Sequence, residues 1–377
     1  MKFKRHVIEI EGAEVVGYDR IKYNLGESSV GERTLSSIGL TLGDMDFPYY
    51  QDHYGVTELR KKIAEIAGAP ATFEQIIVTD GATMALFMAS LVMLEKGDHV
   101  VIQRPNYSVN AMMPEFIGAN VEFLQCNFED QYRFDIEKLD KIVTPKTKFV
   151  SITYPINPAG IMITEDELKR IIQICEKNDC YLISDETYRE LAYNEPLPIA
   201  ATLSKKAISI ASASKVYGFP GIRIGWMHCQ NLELMEEFLA CKEQINVHGS
   251  FLNEEIALKV LQNRDEWLVQ MKEKVLRRMN ICKKWVDTQD YLSWNEPQGG
   301  CICFVKVDES LGIDFEKFYD YLLDTYGSYP GAGNWFEYPR NYMRIGFVWP
   351  KTDEELMLGL EGITKAVNDL RKDKIQG

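Results

Sequence analysis

No stretch of this chain is apolar for long enough to cross a bilayer, so a membrane partner is not expected. Positive charge is in short supply. The 42 Lys and Arg face 56 Asp and Glu, a net charge of −14, which argues against nucleic acid because its phosphates require a basic face. Eight cysteines in 377 residues make no disulfide framework. Cys301 and Cys303 share one face of an apolar strand pattern, but no His/Cys pair of matching spacing accompanies them, so no metal site is expected. Cys175 and Cys180 flank the end of a helix pattern and read as packed free thiols. The opening run Met1-Lys2-Phe3-Lys4-Arg5-His6 lacks the apolar core of a signal peptide, and a cytoplasmic location is the expectation. Repeats and low-complexity stretches are absent.

What is present is the composition of a globular protein, 46% hydrophobic and 26% charged, too long for one simple core. Short Ile/Val-rich runs predict strands at 75–79, 99–103, 121–126, 148–153, 180–184, 207–211 and 222–228. Their lack of polar alternation suits strands covered on both faces. Helices are predicted between them at 83–94, 108–117, 165–178 and 231–244, with a capping box at Thr164-Glu165-Asp166-Glu167. This is the βαβ rhythm of an α/β fold with a mainly parallel seven-stranded sheet wrapped by helices. Near residue 253 the pattern changes. A helical stretch at 253–287 breaks near Asn263. A strand at 301–307, a helix at 315–326, a strand at 342–347 and a helix at 353–372 follow. The expected division is a large domain at 40–265 and a smaller α/β domain built from 1–39 and 266–377.

Ligands of open α/β sheets bind beyond the carboxyl ends of the strands. Past 75–79 comes Gly81-Ala82-Thr83, where small residues at a helix start expose backbone N–H groups to a phosphate. Past 99–103 comes Tyr107, either a ring that stacks on a flat cofactor or a packing tyrosine. Past 148–153 lies Asn157 between Pro155 and Pro158 in a rigid turn, either of whose X–Pro bonds is a candidate for cis. Past 180–184 come Asp185 and Tyr188. A carboxylate there is a helix cap or the partner of a protonated ring nitrogen. Past 207–211 comes Ser212-Ala213-Ser214-Lys215, with Arg223 downstream. That lysine can form a Schiff base with a carbonyl cofactor while the serines and the arginine hold its phosphate.

Taken together, Gly81-Ala82-Thr83, Pro105-Asn106-Tyr107, Asn157-Pro158-Ala159-Gly160, Ser184-Asp185-Glu186-Thr187-Tyr188 and Ser212-Ala213-Ser214-Lys215 with Arg223 closely resemble the fold type I pyridoxal phosphate enzymes of the class I/II aminotransferase family. Asn341-Tyr342-Met343-Arg344-Ile345-Gly346-Phe347 is similar to the family's carboxylate-binding arginine motif, with Pro330-Gly331 as the turn before it. Tyr50 with Gly55, Leu59 and Arg60, and the early segment Asn24-Leu25-Gly26-Glu27-Ser28-Ser29, extend the likeness.

The resemblance implies that Lys215 forms the Schiff base and that Asp185 pairs with the pyridine nitrogen. It also implies that Asn157 and Tyr188 reach the phenolic oxygen and that Tyr107 stacks on the ring. The phosphate would fall to Ser212, Ser214, Arg223 and the Gly81-Ala82-Thr83 turn. Arg344 would grip the substrate α-carboxylate, with Gly26 and Asn157 beside it. Tyr50 would reach the other subunit's cofactor in a homodimer. The implied activity is transfer of an amino group between an L-amino acid and a 2-keto acid. A pyridoxal-phosphate-dependent C–S β-lyase or amino-acid cyclase is the alternative, since the short N-terminal segment is reminiscent of capreomycidine synthase-like enzymes. Trp335, Phe336 and Tyr338, near the carboxylate arginine, are either an apolar pocket wall or ordinary domain packing.

Overall fold

The computed structural model describes residues 4–41, 43 and 50–371. Its strands are β1 Tyr23–Leu25, β2 Ile76–Thr79, β3 His99–Arg104, β4 Asn120–Gln125, β5 Thr147–Thr153, β6 Tyr181–Asp185, β7 Ala207–Ser212, β8 Gly225–Cys229, β9 Leu292–Trp294, β10 Ile302–Val307, β11 Ser328–Ala332 and β12 Tyr342–Gly346. Seven of them form one sheet in the order β2-β8-β7-β6-β5-β3-β4. All its pairs are parallel except those of β8, which runs antiparallel to both β2 and β7.

Period-two alternation distributes the strand side chains between two cores. Val100, Ile102, Phe149, Ile183, Ile208 and Ile210 point into one, beneath the helices Ala82–Met93 and Leu232–Ile245. Val101, Val150, Ile152 and Leu182 point into the other, where the helix Glu165–Lys177 contributes Leu168, Ile171 and Ile172. Both faces are therefore dry, which is why these strands carry so little polar alternation. The predicted capping box forms: Thr164 accepts from the Glu167 N–H, and Glu167 accepts from the Thr164 N–H.

A second sheet has the order β1-β11-β12-β10-β9. Its N-terminal strand β1 pairs in parallel with β11, so the early segment is stitched to the C-terminal part of the chain. The helices Phe251–Gln262 and Arg264–Asp287 meet at Asn263, where the sequence predicts a break. The helix Phe315–Tyr326 has the predicted bounds, and Asp353–Leu370 ends two residues before the predicted 372, a position outside the described residues.

Several sequence readings are corrected. The strand predicted at 222–228 begins only at Gly225, because Pro220–Ile222 forms a 3-10 turn and Arg223 takes a left-handed conformation with φ 52°. Pro330-Gly331 is not a turn. Both lie inside β11, which is hydrogen-bonded on two sides, and Gly331 is required there because a Cβ would meet the Trp335 ring at 2.8 Å. The short strands β1 and β9 and the helices Thr57–Ala67 and Ile136–Ile142 carried no prediction. Strands of three residues offer too few positions for a period to be read.

Candidate active site

The carboxyl ends of β2, β5, β6 and β7 open into one cavity of about 240 Å³, closed from the far side by the segment 8–28 and by residues of the second sheet. Of the predicted residues, Gly26, Ala82, Thr83, Tyr107, Asn157, Asp185, Tyr188, Ser212, Ser214, Lys215, Arg223 and Arg344 all line it. Sequence separations of more than 300 residues are thus brought to one place.

One end is built for an anion. The helix Ala82–Met93 starts at Gly81 with no side-chain cap, which leaves its first N–H groups directed at the cavity. Arg223 lies across this start, donating to the Pro220 carbonyl at 3.0 Å and lying 3.5 Å from both the Ser214 hydroxyl and the Asp80 carbonyl. Two glycines make the approach possible. Gly81 has φ 84°, and a Cβ on it would lie 2.4 Å from the Arg223 guanidinium. A Cβ on Gly225 would lie 2.5 Å from the Gly81 carbonyl carbon and 2.6 Å from the Ala82 nitrogen. Sequence reasoning missed Gly225, although a glycine at a strand start is a recognised sign of close backbone approach.

The end of β6 carries two adjacent acids with opposite fates. Glu186 turns away and is consumed by the fold: its carboxylate accepts from the Ala200 N–H and from the hydroxyls of Ser209 and Tyr154. Asp185 faces the cavity, where one carboxylate oxygen accepts from the Thr187 N–H at 3.1 Å and the Thr187 hydroxyl at 2.6 Å. Burial pushes its carboxyl up from the usual range, and the Thr187 hydrogen bonds and the charge of Lys215 pull it back. A buried carboxylate with no cation against it is costly, and a protonated pyridine nitrogen is a partner of the right size and charge.

The Lys215 amine is enclosed in the same cavity and donates to the Ser28 hydroxyl at 3.0 Å. Burial lowers its pKa from 10.5, opposed by Glu27 and assisted by Arg344 and Arg223. Ser28 was not foreseen. It ties three groups of the site together, because its backbone carbonyl also accepts from the Tyr188 hydroxyl at 2.9 Å and from the Cys301 thiol at 3.4 Å. The predicted hydrogen bond of Tyr188 to a ring oxygen therefore competes with an existing one to Ser28. Tyr107 presents its ring to the cavity, its hydroxyl 3.3 Å from that of Thr83.

At the opposite end Arg344, 3% exposed, donates to the Gly26 carbonyl at 2.7 Å and to Asn157 Oδ1 at 3.2 Å, while its buried Nε has no hydrogen-bond partner among the described residues. The guanidinium carbon lies 4.9 Å from the Phe336 ring centre and 5.7 Å from that of Trp335. Trp335 lines the cavity and Phe336 backs the arginine. Tyr338 packs elsewhere, its hydroxyl donating to the Cys126 carbonyl. The bonds Tyr154–Pro155 and Asn157–Pro158, which frame Asn157, are both cis. Tyr50 is outside this set. It is 74% exposed, packed edge-on against His248.

These residues fit pyridoxal phosphate by their own chemistry: an anion cradle at one end, a buried carboxylate with no ion pair among the described residues in the middle, and an amine with a lowered pKa beside it. Comparison with known proteins agrees. The family profile described as aminotransferase class I and II matches residues 41–360. A (5-formylfuran-3-yl)methyl phosphate transaminase of Methanocaldococcus jannaschii is 30% identical over 331 residues, covering 85% of this chain and 84% of that protein. The crystal structure of a PLP-dependent aminotransferase from Streptococcus suis superposes with a TM-score of 0.90 at 26% identity, covering 99% of this chain and 100% of that one. The PLP-dependent cyclase OrfR has the same fold, with a TM-score of 0.88 at 23% identity over 98% of both chains.

Proposed function

Because the chain belongs to the class I and II aminotransferases, a pyridoxal-phosphate-dependent family, we propose that Lys215 is the lysine that binds the cofactor and moves the substrate's α-proton. The observation that carries this reading is the single cavity in which the Lys215 amine, the Asp185 carboxylate, the Arg223 cradle and Arg344 meet. When bound, pyridoxal phosphate supplies an electron sink that makes the α-proton of an attached amino acid acidic. The rest is the work of the chain. Arg223, Ser212, Ser214 and the helix start at Ala82 and Thr83 hold the phosphate. Asp185, kept in place by Thr187, holds a proton on the ring nitrogen. Asn157 and Tyr188 serve the ring oxygen, and Tyr107 covers the ring. Arg344 fixes the α-carboxylate through a planar fork. Burial and the charges of Arg344 and Arg223 favour the neutral form of the Lys215 amine, the form that can take the α-proton and give it back at the carbon that bore the cofactor's aldehyde.

The substrates on this reading are an L-amino acid and a 2-keto acid. Elimination and cyclisation share every step up to loss of the α-proton, so they are separated by product: a keto acid for transfer, ammonia or thiol for elimination. We place the division between domains at 1–39 and 266–377 against 40–265, following the two sheets. A homodimer is supported by the outward position of Tyr50, free to enter a second subunit's site. A cytoplasmic location is supported by eight cysteines that are all free. The test is Lys215→Ala. Wild-type protein loaded with pyridoxal phosphate should form an adduct that borohydride fixes to the peptide containing Lys215, and the variant should form none. Its turnover should fall by about 10²–10⁴-fold or more. An adduct on another lysine would overturn the assignment.

A further inference from the structure

We propose that Arg33 and Trp267 are positioning residues for Lys215: neither lines the cavity, and together they fix the backbone of the turn that carries the amine. This rests on Lys215 as the cofactor lysine and extends that reading to what holds the lysine in place.

The turn depends on donors from outside it. β7 ends at Ser212 and the next regular element is the 3-10 turn Pro220–Ile222, so the carbonyls between them lie beyond the sheet ladder. Buried carbonyls require partners. Four in succession take a donor from elsewhere in the chain. The Ser214 carbonyl accepts from the Ser29 hydroxyl at 3.0 Å, and that of Lys215 from the Val30 N–H at 3.2 Å. The Val216 carbonyl accepts from the Trp267 indole N–H at 2.9 Å, and that of Tyr217 from the Arg33 guanidinium at 3.3 Å. The peptide units on both sides of the lysine are thus held. The Tyr217 hydroxyl donates to Glu190, which also accepts from Arg264 Nε at 2.6 Å, so the first turn of the helix Arg264–Asp287 supplies Arg264 and Trp267 alike.

The second observation is Arg33 itself, a half-buried arginine without an acid. Among the described residues it is in no ion pair, and its buried Nε has no hydrogen-bond partner. Its guanidinium carbon instead lies 3.6 Å from the Trp267 ring centre and 5.2 Å from that of Phe219, where ring faces attract a cation. Its stem lies on Gly218, which has φ 72°. A Cβ there would come 3.3 Å from both Cγ and Cδ of Arg33 and 2.7 Å from the Gly31 carbonyl. Taking a guanidinium partly out of water with no anion beside it is costly. What the position gains is a planar group that stacks on Trp267 and donates to the lysine turn in one geometry. Such precision matters for rate, because misplacing a reacting group by about 1 Å costs up to about a hundredfold.

The test uses the loaded enzyme in single-turnover half-reactions, with the amino acid that changes its absorbance fastest. Arg33→Met keeps an unbranched stem against Gly218 and removes the charge and the donor. Trp267→Phe keeps a ring under Arg33 and removes the N–H. The limiting rate constant should fall roughly 10–100-fold in Arg33→Met and about three- to tenfold in Trp267→Phe. The dissociation constant of the amino acid should stay within about threefold, because Arg344 is untouched. A fraction that fails to fold lowers the amplitude and leaves the rate constant as it was, so a merely structural role would not move it. Covalent loading of the apoprotein with pyridoxal phosphate needs no amino acid, and its rate constant should fall in the same order. Unmoved rate constants in both variants, or a loss carried by the dissociation constant alone, would overturn the proposal and leave the cofactor assignment standing. A borohydride-fixed adduct on another lysine of the wild type would sink the cofactor assignment, and the proposal with it.

Discussion

The Lys215 amine donates to the Ser28 hydroxyl at 3.0 Å, across a separation of 187 residues, and the carbonyl of the same serine receives the Tyr188 hydroxyl. A segment of the second sheet's side thus holds a buried lysine of the first. A hydroxyl that accepts from an ammonium favours the charged form, so Ser28 opposes the lowering that burial imposes on Lys215. In Ser28→Ala the amine should be neutral at lower pH. Hydrogen bonds to charged groups are worth about 1.5–3 kcal/mol, so the midpoint for covalent loading with pyridoxal phosphate should fall by about one pH unit or more. Stopped-flow rates of adduct formation from pH 6 to 10 measure it, and an unmoved midpoint would remove Ser28 from the control of Lys215.

Arg344 is held by Gly26 and Asn157 and offers its remaining N–H groups to the cavity. Lysine keeps the charge but loses the planar fork and one of the two anchoring contacts. Arg344→Lys should bind pyridoxal phosphate normally, because the phosphate cradle lies at the other end. Its kcat/KM for the best amino donor should fall by about 10–100-fold, mostly through KM. Loss of cofactor in this variant would contradict the separation of the two ends.

Gly225 stands against the backbone of Gly81 and Ala82, with no room for a methyl group. Gly225→Ala should therefore push the helix start away from the phosphate, at an overpacking cost of about 1–3 kcal/mol. The expected outcome is a pyridoxal phosphate Kd raised roughly tenfold, with the absorbance of the fully loaded protein unchanged. Fluorescence titration of the apoprotein decides it.

The large sheet was legible because its strands are buried on both faces and its ligand groups follow the strand ends one after another. Lys215, Asp185 and Asn157 each stand beyond or at the end of a readable strand, and all three reach the cavity. The residues that escaped the sequence are those whose role depends on a neighbour far along the chain. Ser28 matters because of Lys215, and Gly225 because of Gly81. Thr187 matters because its hydroxyl turns back onto Asp185. Pro330-Gly331 misled for the complementary reason: local turn chemistry was overridden by pairing on both sides of β11. Tyr50, 74% exposed, does not line the cavity of its own chain, so its proposed role would need a second chain.

His228, on β8, pairs with Ile76 and is 2% exposed. Its Nε2 lies 3.4 Å from Gln75 Oε1, while its Nδ1 is buried without a hydrogen-bond partner among the described residues. Burial pushes its pKa from 6.5 down to about 4. The imidazole is thus neutral in the folded protein at pH values where it is charged in the unfolded chain. Because the folded value is the depressed one, the contribution to stability is fully present above pH 6.5 and is lost as the pH falls towards 4. The gap of about 2.5 units corresponds to ~3 kcal/mol, of which about 2–3 kcal/mol should be gone at pH 4.5. His228→Gln removes the titration and keeps a polar side chain of similar size. It should cost some stability at pH 7 yet lose less than the wild type on acidification. Urea unfolding of both proteins at pH 7.0 and 4.5 gives the comparison, and parallel losses would mean that His228 does not sense acid in this fold.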